Sequence, residues 1–402
     1  MRKPALVFIF ITLFLDVLGI GLIIPIVPTL VVTLQGTKLS DASHVVGLLS
    51  MTYSLLQFLF AAFLGSLSDR FGRRPVILIS LFGSGVDYLM QAVAPTLPWF
   101  FIGRAINGLT GANFSVAGAY IADISPPEKR AANFGIIGAA FGLGFIAGPA
   151  LGGLLAVYGP RVPFYAAAGL SLTNWLYGCF VLPESLAPEN RRKFSWARSN
   201  PVGALLALRR WPVVIGLAAT VFLFNMAQLG LQSVWVLYTV YRYHWTPKAV
   251  GISLAIVGFM AVLVQGGLVR RIIPKLGERK SVIFGMTSSV IAHVCYGLST
   301  QGWMIYTVLS MGLLQYIAAP ALQGIISRHV PANEQGGVQG TLSSLSNLAG
   351  IIAPPLATTL FGYCISEHSL LPLPGAPFFA GALLTSTGML LAVRSMKKNA
   401  VA

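Results

Sequence analysis

Three charged residues lie inside long apolar stretches of the sequence, where a charge is costly. They are Asp16, Asp87 and Arg104. Inside a bilayer each such charge costs at least about 2.5 kcal/mol, so charges kept there usually perform chemistry or pair with one another. Burial favours the neutral form of a carboxylate, whereas a nearby cation favours its charged form. A carboxylate balanced between these effects can gain and lose a proton, and we therefore predict that these three residues couple protons to a second process.

Each of these residues also has a purely structural interpretation. Asp16 begins a segment with two glycines and two prolines, which is typical of a kinked helix beside a cavity, but its carboxylate could equally form a static pair. Asp87 could be a static partner of Arg104, because an arginine stays ionised when it is buried and requires an acidic or carbonyl partner. The sequence leaves these alternatives open.

Polar and aromatic residues within the apolar stretches predict a wet cavity that binds a substrate. The predicted substrate-binding residues are Gln57, Asn113, Phe224, Asn225, Gln228, Gln232, Trp235, Tyr238, His293 and Gln315. Asn225, Gln228 and Gln232 are three and four residues apart, so they share one face of a helix. His293 is interpreted either as a hydrogen-bonded structural residue or as a proton relay.

A charged cluster between the second and third apolar runs predicts a tight loop between two helices. Gly65 and Gly72 are expected to allow close helix approach and a sharp turn. Asp123 follows the fourth run and is expected to form a latch with Arg73 or Arg74. The predicted gating residues are Asp69, Arg70, Arg73, Arg74, Asp123, Gly148 and Pro149.

The fifth apolar run contains glycines at intervals of four residues. Gly144, Gly148 and Gly152 would form a groove on one face of a helix, where a neighbouring helix can approach closely. Pro149 is expected to bend this helix. The groove could serve only to pack two helices together, or it could be an interface at which the helices move during transport. The sequence fits both roles.

The composition is that of a membrane protein. Of 402 residues, 55% are hydrophobic and only 9% are charged, whereas soluble domains carry about 25% charged residues. The net charge of +16 lies in short loops between apolar runs, which argues against nucleic acid as a partner. The three cysteines have no paired spacing, and no nucleotide-binding glycine motif occurs, so we predict no disulfide, no metal site and no cofactor.

Apolar runs of membrane-spanning length predict an all-α polytopic protein with twelve transmembrane helices. They lie near 5–32, 45–68, 75–94, 98–122, 131–156, 162–182, 212–240, 248–269, 280–299, 303–327, 336–364 and 375–394. The longest polar connection divides them into an N-terminal six-helix bundle (1–182), a cytoplasmic linker (183–211) and a C-terminal six-helix bundle (212–402). Lys and Arg are concentrated in the even-numbered loops, which predicts that both termini are cytoplasmic.

The two halves repeat one another at an offset of 205 residues. Segment 70–74 aligns with 275–279, and Pro149 aligns with Pro354. The halves are therefore predicted to be parallel duplicates, related by a pseudo-two-fold axis along the membrane normal. This arrangement favours a central cavity that opens alternately to each side.

The motifs resemble those of the major facilitator superfamily and, within it, the tetracycline/proton antiporters, which are twelve-helix drug:H+ antiporters. The resemblance rests on Asp16-x-x-Gly-x-Gly-x-x-x-Pro-x-x-Pro, Ser68-Asp-Arg-Phe-Gly-Arg-Arg-Pro-Val, Gly103-Arg104, Phe141-Gly-Leu-Gly-x-Ile-Ala-Gly-Pro149 and Pro320-Ala-Leu-Gln-Gly324. By resemblance, Asp16, Asp87 and Arg104 are the essential charged positions. Asp69 and Arg73 then belong to the conformational gate, and the Gly148-Pro149 segment is the antiporter motif.

The resemblance implies a secondary transporter, not an enzyme, that exports amphipathic small molecules or drugs in exchange for protons. We expect a monomer in the lipid bilayer of a bacterial inner membrane, with a small-molecule substrate and protons as its ligands. The alternative is a facilitator or symporter of an endogenous metabolite, organic anion or lipid, because Arg104 would suit an anion. A non-transporting sensor or scaffold is disfavoured, because two glycine-rich halves with mid-membrane charges indicate transport.

The C-terminal half departs from the family pattern. Family members that pump the metal–tetracycline chelate carry an acid and often a histidine where this sequence has Ser289 and Ala261. The sequence contains no acid within the predicted spans of that half. Proton coupling is therefore expected to use the N-terminal half, with His293 as one further candidate.

Overall fold

The computed structural model describes residues 4–126, 130–191, 212–330 and 335–398. These ranges contain helices, turns and loops and no β-strand. In chain order the α-helices are α1 (Pro4–Ile23), α2 (Val27–Gln35), α3 (Leu39–Phe71), α4 (Arg73–Val93), α5 (Leu97–Thr110), α6 (Asn113–Ile124), α7 (Arg130–Leu155), α8 (Val162–Val181), α9 (Pro212–Tyr243), α10 (Pro247–Leu263), α11 (Val269–Leu276), α12 (Glu278–Leu298), α13 (Gly302–Met311), α14 (Ala318–Arg328), α15 (Gln335–Cys364) and α16 (Ala376–Lys398). Residues 192–211 of the predicted linker lie outside the described residues.

Within the described residues, ten helical stretches are long and apolar enough to cross a membrane. The prediction of an all-α polytopic fold is therefore confirmed. The two remaining predicted spans are also helical. The sixth is α8, whose 20 residues include the buried polar side chains of Ser171 and Asn174, and the fourth is divided into α5 and α6 at Gly111 and Ala112.

Besides the fourth, three predicted spans depart from regular α-helical geometry. The first is broken between α1 and α2 around Pro25, which has no N–H group to donate to the helix. A π-helical turn, Val264–Leu268, connects α10 to α11, and a 3₁₀ turn, Gly312–Ile317, connects α13 to α14. Such irregular turns inside helices often mark functional positions, because they redirect side chains and leave backbone groups available.

The chain forms two compact units. Unit 1 comprises 1–36, 52–200 and 246–258, and unit 2 comprises 37–51, 201–245 and 259–402. The first turns of α3 belong to unit 2 because they pack on α15, where His44 Nδ1 lies 2.8 Å from Thr359 Oγ1. The two six-helix bundles stay a prediction, since 37–51 and 246–258 are each grouped with helices of the other half.

Close backbone packing holds α1 against α7 in unit 1. A Cβ atom at Gly148 would lie 2.8 Å from Gly21 Cα, and one at Gly144 would lie 2.8 Å from Val17 Cβ. The glycine groove predicted on α7 is thus filled by α1. This packing sets the position of the α1 segment that carries Asp16.

Candidate functional site

Asp87 is the centre of a hydrogen-bonded cluster in unit 1. Its side chain is fully buried. Its carboxylate forms an ion pair with the Arg104 guanidinium and accepts hydrogen bonds from Asn107 Nδ2 at 2.7 Å and Gln91 Nε2 at 2.5 Å. Gln91 lies one turn beyond Asp87 on α4, whereas Arg104 and Asn107 lie one turn apart on α5. The cluster therefore joins two neighbouring helices through one carboxylate.

A glycine permits this approach of α5 to α4. A Cβ atom at Gly103 would lie 2.6 Å from Asp87 Oδ1, closer than Cβ atoms of folded proteins come to other residues. The charged carboxylate has three donors, one of them cationic, which stabilises its ionised form. One proton on Asp87 would remove the charge that holds Arg104, so protonation and the position of Arg104 are physically linked.

Asp16 lies on α1 and is also buried, with 6% of its surface exposed. The side chain of Asn113, the first residue of α6, interacts with it. The break between α5 and α6 positions Asn113. Gln57 of α3 stabilises this break, because its Nε2 donates to the Gly111 carbonyl at 3.3 Å and to Tyr53 Oη at 2.9 Å.

Arg104 also contacts α3 of unit 1. Its guanidinium carbon lies 5.8 Å from the centre of the Tyr53 ring, within the range of a cation–π interaction. Its Nε is buried and has no hydrogen-bond partner among the described residues. Arg104 thus keeps one donor free beside the Asp87 cluster.

Arg73 links three helices at the other functional region of unit 1. Its Nη1 lies 2.6 Å from Asp69 Oδ1 on α3, and its Nε lies 3.1 Å from Asp123 Oδ2 on α6. Ser68 Oγ accepts a further hydrogen bond at 2.7 Å. The Arg73 side chain is only 11% exposed, so these contacts are partly shielded from solvent.

The two neighbouring arginines have different surroundings. Arg74 donates to the Cys179 carbonyl of α8 at 2.5 Å. The Arg70 guanidinium carbon lies 5.0 Å from the ring centre of Phe71. Of the two partners expected for Asp123, the structure pairs it with Arg73.

The turn between α3 and α4 depends on Gly72 rather than on Gly65. Gly72 has φ = +108°, a backbone conformation that residues with a side chain rarely adopt. The expected role of Gly65 in close helix approach is wrong, because a Cβ atom there would meet no described atom within 4 Å. Glu184, which the sequence analysis missed, accepts hydrogen bonds from the backbone N–H groups of Arg73 at 2.8 Å and Arg74 at 3.2 Å.

Unit 2 contains a separate cluster of uncharged polar side chains. Gln228 Nε2 donates to Ser289 Oγ at 3.1 Å and lies 3.3 Å from Gln315 Oε1. One turn earlier on α9, Asn225 donates to Ser346 Oγ on α15 at 2.8 Å. Ser289 therefore belongs to a neutral hydrogen-bonded network. Gln232 is exposed, although it shares this helix face.

His293 is fully buried in unit 2. Its Nδ1 lies 2.8 Å from the Ser289 carbonyl of the preceding turn, which fixes a proton on Nδ1 when the ring is neutral. The ring packs on Gly381 of α16, where an added Cβ atom would lie 2.6 Å from His293 Cδ2. These contacts are those of a hydrogen-bonded structural histidine. A role for His293 as a proton relay stays a prediction.

Three predicted substrate-binding aromatics are packed inside unit 2. Trp235 and Tyr238 are 2% and 1% exposed, and Phe224 is 7% exposed in a hydrophobic cluster. The Tyr238 hydroxyl donates to the Tyr296 carbonyl at 3.0 Å. Contact of these three side chains with a substrate stays a prediction.

The sequence analysis missed some members of these clusters, although their spacing along the helix indicated them. Gln91 and Ser84 lie four residues after and three residues before Asp87, the spacing that places polar groups on one helix face. Ser84 Oγ lies 3.3 Å from Asn107 Oδ1, within the cluster. Glu184 had no such signal, because it is 111 positions from Arg73. In the described part of the chain, no group of three or more His, Cys, Asp or Glu residues could hold a metal ion.

Comparison with known proteins assigns the family. The profile of the Major Facilitator Superfamily matches residues 9–354. The class C tetracycline resistance protein of Escherichia coli is 39% identical over 380 residues, 94% of this chain and 94% of that protein. The class G protein of Vibrio anguillarum is 39% identical over 364 residues, 90% of this chain and 91% of that protein.

A solved structure agrees with these sequence relatives. The human organic anion transporter MFSD10 (TETRAN) superposes with a TM-score of 0.72 at 25% identity, covering 97% of this chain and 99% of that one. Both the fold and the relatives are those of membrane transporters. The chain is thus a multi-pass secondary transporter rather than an enzyme, and it belongs to the major facilitator superfamily and, within it, to the tetracycline resistance proteins.

Proposed function

We propose that this transporter exports an amphipathic small molecule, of the tetracycline type, in exchange for protons. The observation that carries the proposal is the Asp87 cluster, in which one buried carboxylate forms an ion pair with Arg104 inside a membrane-spanning segment. A charge in that position is costly unless it is used or paired. The curated relatives are described by their names as tetracycline resistance proteins, which supports a drug as the substrate.

In the proposed mechanism, Asp87 either carries a proton or forms its ion pair with Arg104. The carrier binds the substrate only while this ion pair is present. Protonation from the outside neutralises Asp87, releases Arg104 and expels the substrate. The protonated carrier then turns inward, where loss of the proton restores the Asp87–Arg104 ion pair. The proton and the substrate both depend on the charge of Asp87. Proton binding therefore lowers the affinity for the substrate, and substrate binding lowers the affinity for the proton by the same coupling free energy.

The remaining site residues receive roles in this scheme. Asp16 is a second carboxylate for the proton, and the side chain of Asn113 interacts with it. Asp69, Arg73 and Asp123 form a latch that is made and broken as the carrier changes state. Among the predicted substrate-binding residues, Gln57, Gln228 and Gln315 offer polar groups from irregular or half-buried positions.

Localisation and assembly complete the proposal. We place both termini in the cytoplasm and the protein in a bacterial inner membrane, since Lys and Arg are concentrated in the even-numbered loops and the curated relatives cited above are bacterial. The carrier acts as a single chain.

The test uses purified protein in proteoliposomes, with tetracycline as substrate and a pH dye inside. Addition of tetracycline should release protons in wild type, and Asp87→Asn should abolish this release while leaving the protein folded. Asp41→Asn is the matched control, because Asp41 is an exposed acid in the first turn of α3. Substrate-driven proton release that persists in Asp87→Asn would reject the assignment of Asp87.

A second candidate function is transport of an organic anion, as the name of the superposed human transporter states for that protein. In this case Arg104 would bind the anion directly. Counterflow of a labelled organic anion that does not depend on pH, and that is lost in Arg104→Gln but kept in Asp87→Asn, would favour this function. A thermal-shift screen of drugs and metabolites at two pH values identifies the ligand class in either case.

A further inference from the structure

A cavity of about 200 Å³ in unit 2 has no role in the mechanism above. Residues of α12 form one wall, and the end of α13 with the start of the 3₁₀ turn Gly312–Ile317 forms the other. The surface of the cavity is almost wholly apolar. Of the two hydroxyl groups among its lining residues, that of Thr287 donates to Met389 Sδ on α16 at 3.4 Å, and that of Ser288 is buried.

The cavity opens on an apolar surface at the middle of two membrane-spanning stretches. Phe284, Ile291 and Met311 border it and are 50%, 50% and 65% exposed. Ser288 is the eleventh of the 21 residues of α12, so it lies about 15 Å from either end of the helix, near the centre of a hydrocarbon layer about 30 Å thick. An apolar cavity of this size stays free of water and takes a hydrocarbon group.

The cavity wall on α12 continues to a lysine at the end of the same helix face. At 100° per residue, five of the six lining residues of α12 and this lysine fall within about 100° of the helix circumference. Counted from Lys280, the five lie 4, 7, 8, 11 and 15 residues further on: Phe284, Thr287, Ser288, Ile291 and Cys295. A molecule lying along this face meets the lysine at the helix end and the cavity about 12 Å deeper.

Lys280 is available to a ligand. It is exposed, and it has no ion pair or hydrogen bond within the described part of the chain. Glu278, the nearest acid in the sequence, is already paired with Arg328 of α14. The internal repeat has Pro75 at the position equivalent to Lys280, so the duplicated turn does not require a cation there. An ammonium group at the end of a membrane helix attracts the phosphate of an anionic lipid.

We propose that this face of α12 binds one anionic phospholipid, with its phosphate at Lys280 and an acyl chain in the cavity. The two features match the two ends of such a lipid, an anion at the membrane surface and hydrocarbon below it. The chain fills the cavity and supplies dispersion contacts that an empty cavity lacks. It thereby contacts the 3₁₀ turn that carries Gln315, which lies 3.3 Å from Gln228 in the polar network of unit 2.

The test uses purified full-length protein in phosphatidylcholine nanodiscs that contain a small fraction of a photoreactive lipid. The probe is phosphatidylglycerol with a diazirine in the middle of one acyl chain. After illumination, mass spectrometry of peptides should find crosslinks within 284–295 and 308–314. Unlabelled phosphatidylglycerol should displace the probe about fivefold better than unlabelled phosphatidylcholine, which is the effect of one lysine beside an anionic lipid.

Two neighbouring cations test the headgroup site. Lys280→Gln should lower labelling by the phosphatidylglycerol probe about fivefold and leave labelling by a phosphatidylcholine probe unchanged. Arg279→Gln is the matched control. Arg279 is also exposed and lies at the same depth, but about 100° around the helix from Lys280. Its removal should change the labelling less than about twofold, because the lipid lies on the other face.

Filling the cavity tests the acyl-chain site. Ser288→Leu should abolish labelling within 284–295 and keep at least the wild-type melting temperature, because the new side chain occupies the cavity. Cys295→Leu fills the cavity from its other end, and it replaces Ser288→Leu if that variant is less stable than wild type. Ser310→Leu is the control, since Ser310 is exposed on α13 outside the cavity lining, and its labelling should stay unchanged.

Three results would overturn the lipid site. Equal losses of labelling in Lys280→Gln and Arg279→Gln would indicate diffuse attraction to charge. Wild-type labelling in both cavity-filling variants would show that the chain lies elsewhere. Displacement of the probe by tetracycline at lower concentrations than by phosphatidylglycerol would assign the cavity to the drug. The proposed antiport is judged separately, by tetracycline-driven proton release in wild type and Asp87→Asn.

Discussion

Glu278 accepts a hydrogen bond from the Arg328 guanidinium at 2.6 Å, and this pair repeats the Arg73–Asp123 pair with the charges exchanged. Each member lies 205 residues after its counterpart, the offset of the internal repeat. Gly72 and Gly277, which precede Arg73 and Glu278, both have positive φ angles. The duplicated turn has therefore kept its geometry and its ion pair while the two signs were reversed.

The two ion pairs should contribute unequally to stability. Arg328 is 74% exposed, so solvent screens its pair and Arg328→Gln should cost less than about 1 kcal/mol. Asp123 is 21% exposed and its partner 11%, so Asp123→Asn should cost about 1–3 kcal/mol. Thermal unfolding of the purified variants in detergent measures both. The charge-exchanged double variant Glu278→Arg/Arg328→Glu should recover the melting temperature that Glu278→Arg loses. Equal losses at the two pairs would contradict this ranking.

Alanine at the two glycine turns should separate backbone strain from crowding. Gly277→Ala imposes an unfavourable φ of +78° with open space around the new methyl group, and should cost about 1–3 kcal/mol. Gly72→Ala should cost more, because its Cβ atom would also lie 2.6 Å from the Glu184 carboxyl carbon. Gly65→Ala is the control and should gain up to about 1 kcal/mol, since Gly65 is helical and uncrowded. The unfolding transitions of the three variants should follow this order, and a cost at Gly65 as large as that at Gly72 would show that crowding was misjudged.

Alanine at Gly148 should disrupt the packing of α1 on α7. Its Cβ atom would lie 2.8 Å from the Leu18 carbonyl oxygen and from Gly21 Cα, and these backbone atoms cannot move without displacing α1. We expect a loss of about 1–3 kcal/mol and impaired transport, because α1 carries Asp16. Gly138→Ala on the same helix is the control, since a Cβ atom there meets no described atom within 4 Å. Melting temperature and tetracycline uptake into inverted vesicles report both effects. Wild-type behaviour of Gly148→Ala would show that α1 and α7 are not held at this distance.

The exposed ion pair between Lys38 and Glu367 should contribute a little to the stability of unit 2, and only within a limited pH range. The hydrogen bond from Lys38 lowers the pKa of Glu367 below its ordinary 4.5, and the same contact raises the pKa of Lys38 above 10.5. The Glu367 contribution is present above pH 4.5 and is lost as pH falls through the lowered pKa. The Lys38 contribution is present below pH 10.5 and is lost as pH rises through the raised pKa.

Glu367→Gln measures this contribution. The difference in melting temperature from wild type should be constant between about pH 5 and pH 10, shrink below the lowered pKa, and fall in high salt, because both side chains are exposed. Wild type and variant are compared by scanning fluorimetry at several pH values and two salt concentrations. A difference that grows in acid would have the wrong sign for an ion pair.

The fold class and the positions of the charged site residues were predictable from the sequence. Runs of apolar residues and the few charges within them are local properties, and the bilayer leaves only helices as a solution for such runs. The predicted all-α fold, the transporter class and the family are confirmed. The partners Gln91 and Asn107 were also within reach of helix periodicity, because they lie one turn from residues already singled out.

Other contacts depended on how distant helices pack. Glu184 reaches the backbone of Arg73 across 111 positions, and no spacing rule connects them. Trp235 and Tyr238 look like cavity residues in the sequence, yet an aromatic cluster with Tyr296 and Phe378 encloses them. A helix pattern gives the face on which a residue lies, but not which neighbour covers that face.

By itself, then, the sequence determined that this chain spans the membrane as a bundle of helices with two carboxylates and an arginine in apolar surroundings, because hydropathy and charge are read residue by residue. Only the tertiary structure decided that Asp87 binds Arg104 on α5 while Tyr88, the next residue, turns its free hydroxyl towards α1. The reason is physical: the direction of a side chain follows from its helix, but its partner follows from the close approach that glycines such as Gly103 and Gly19 permit between helices.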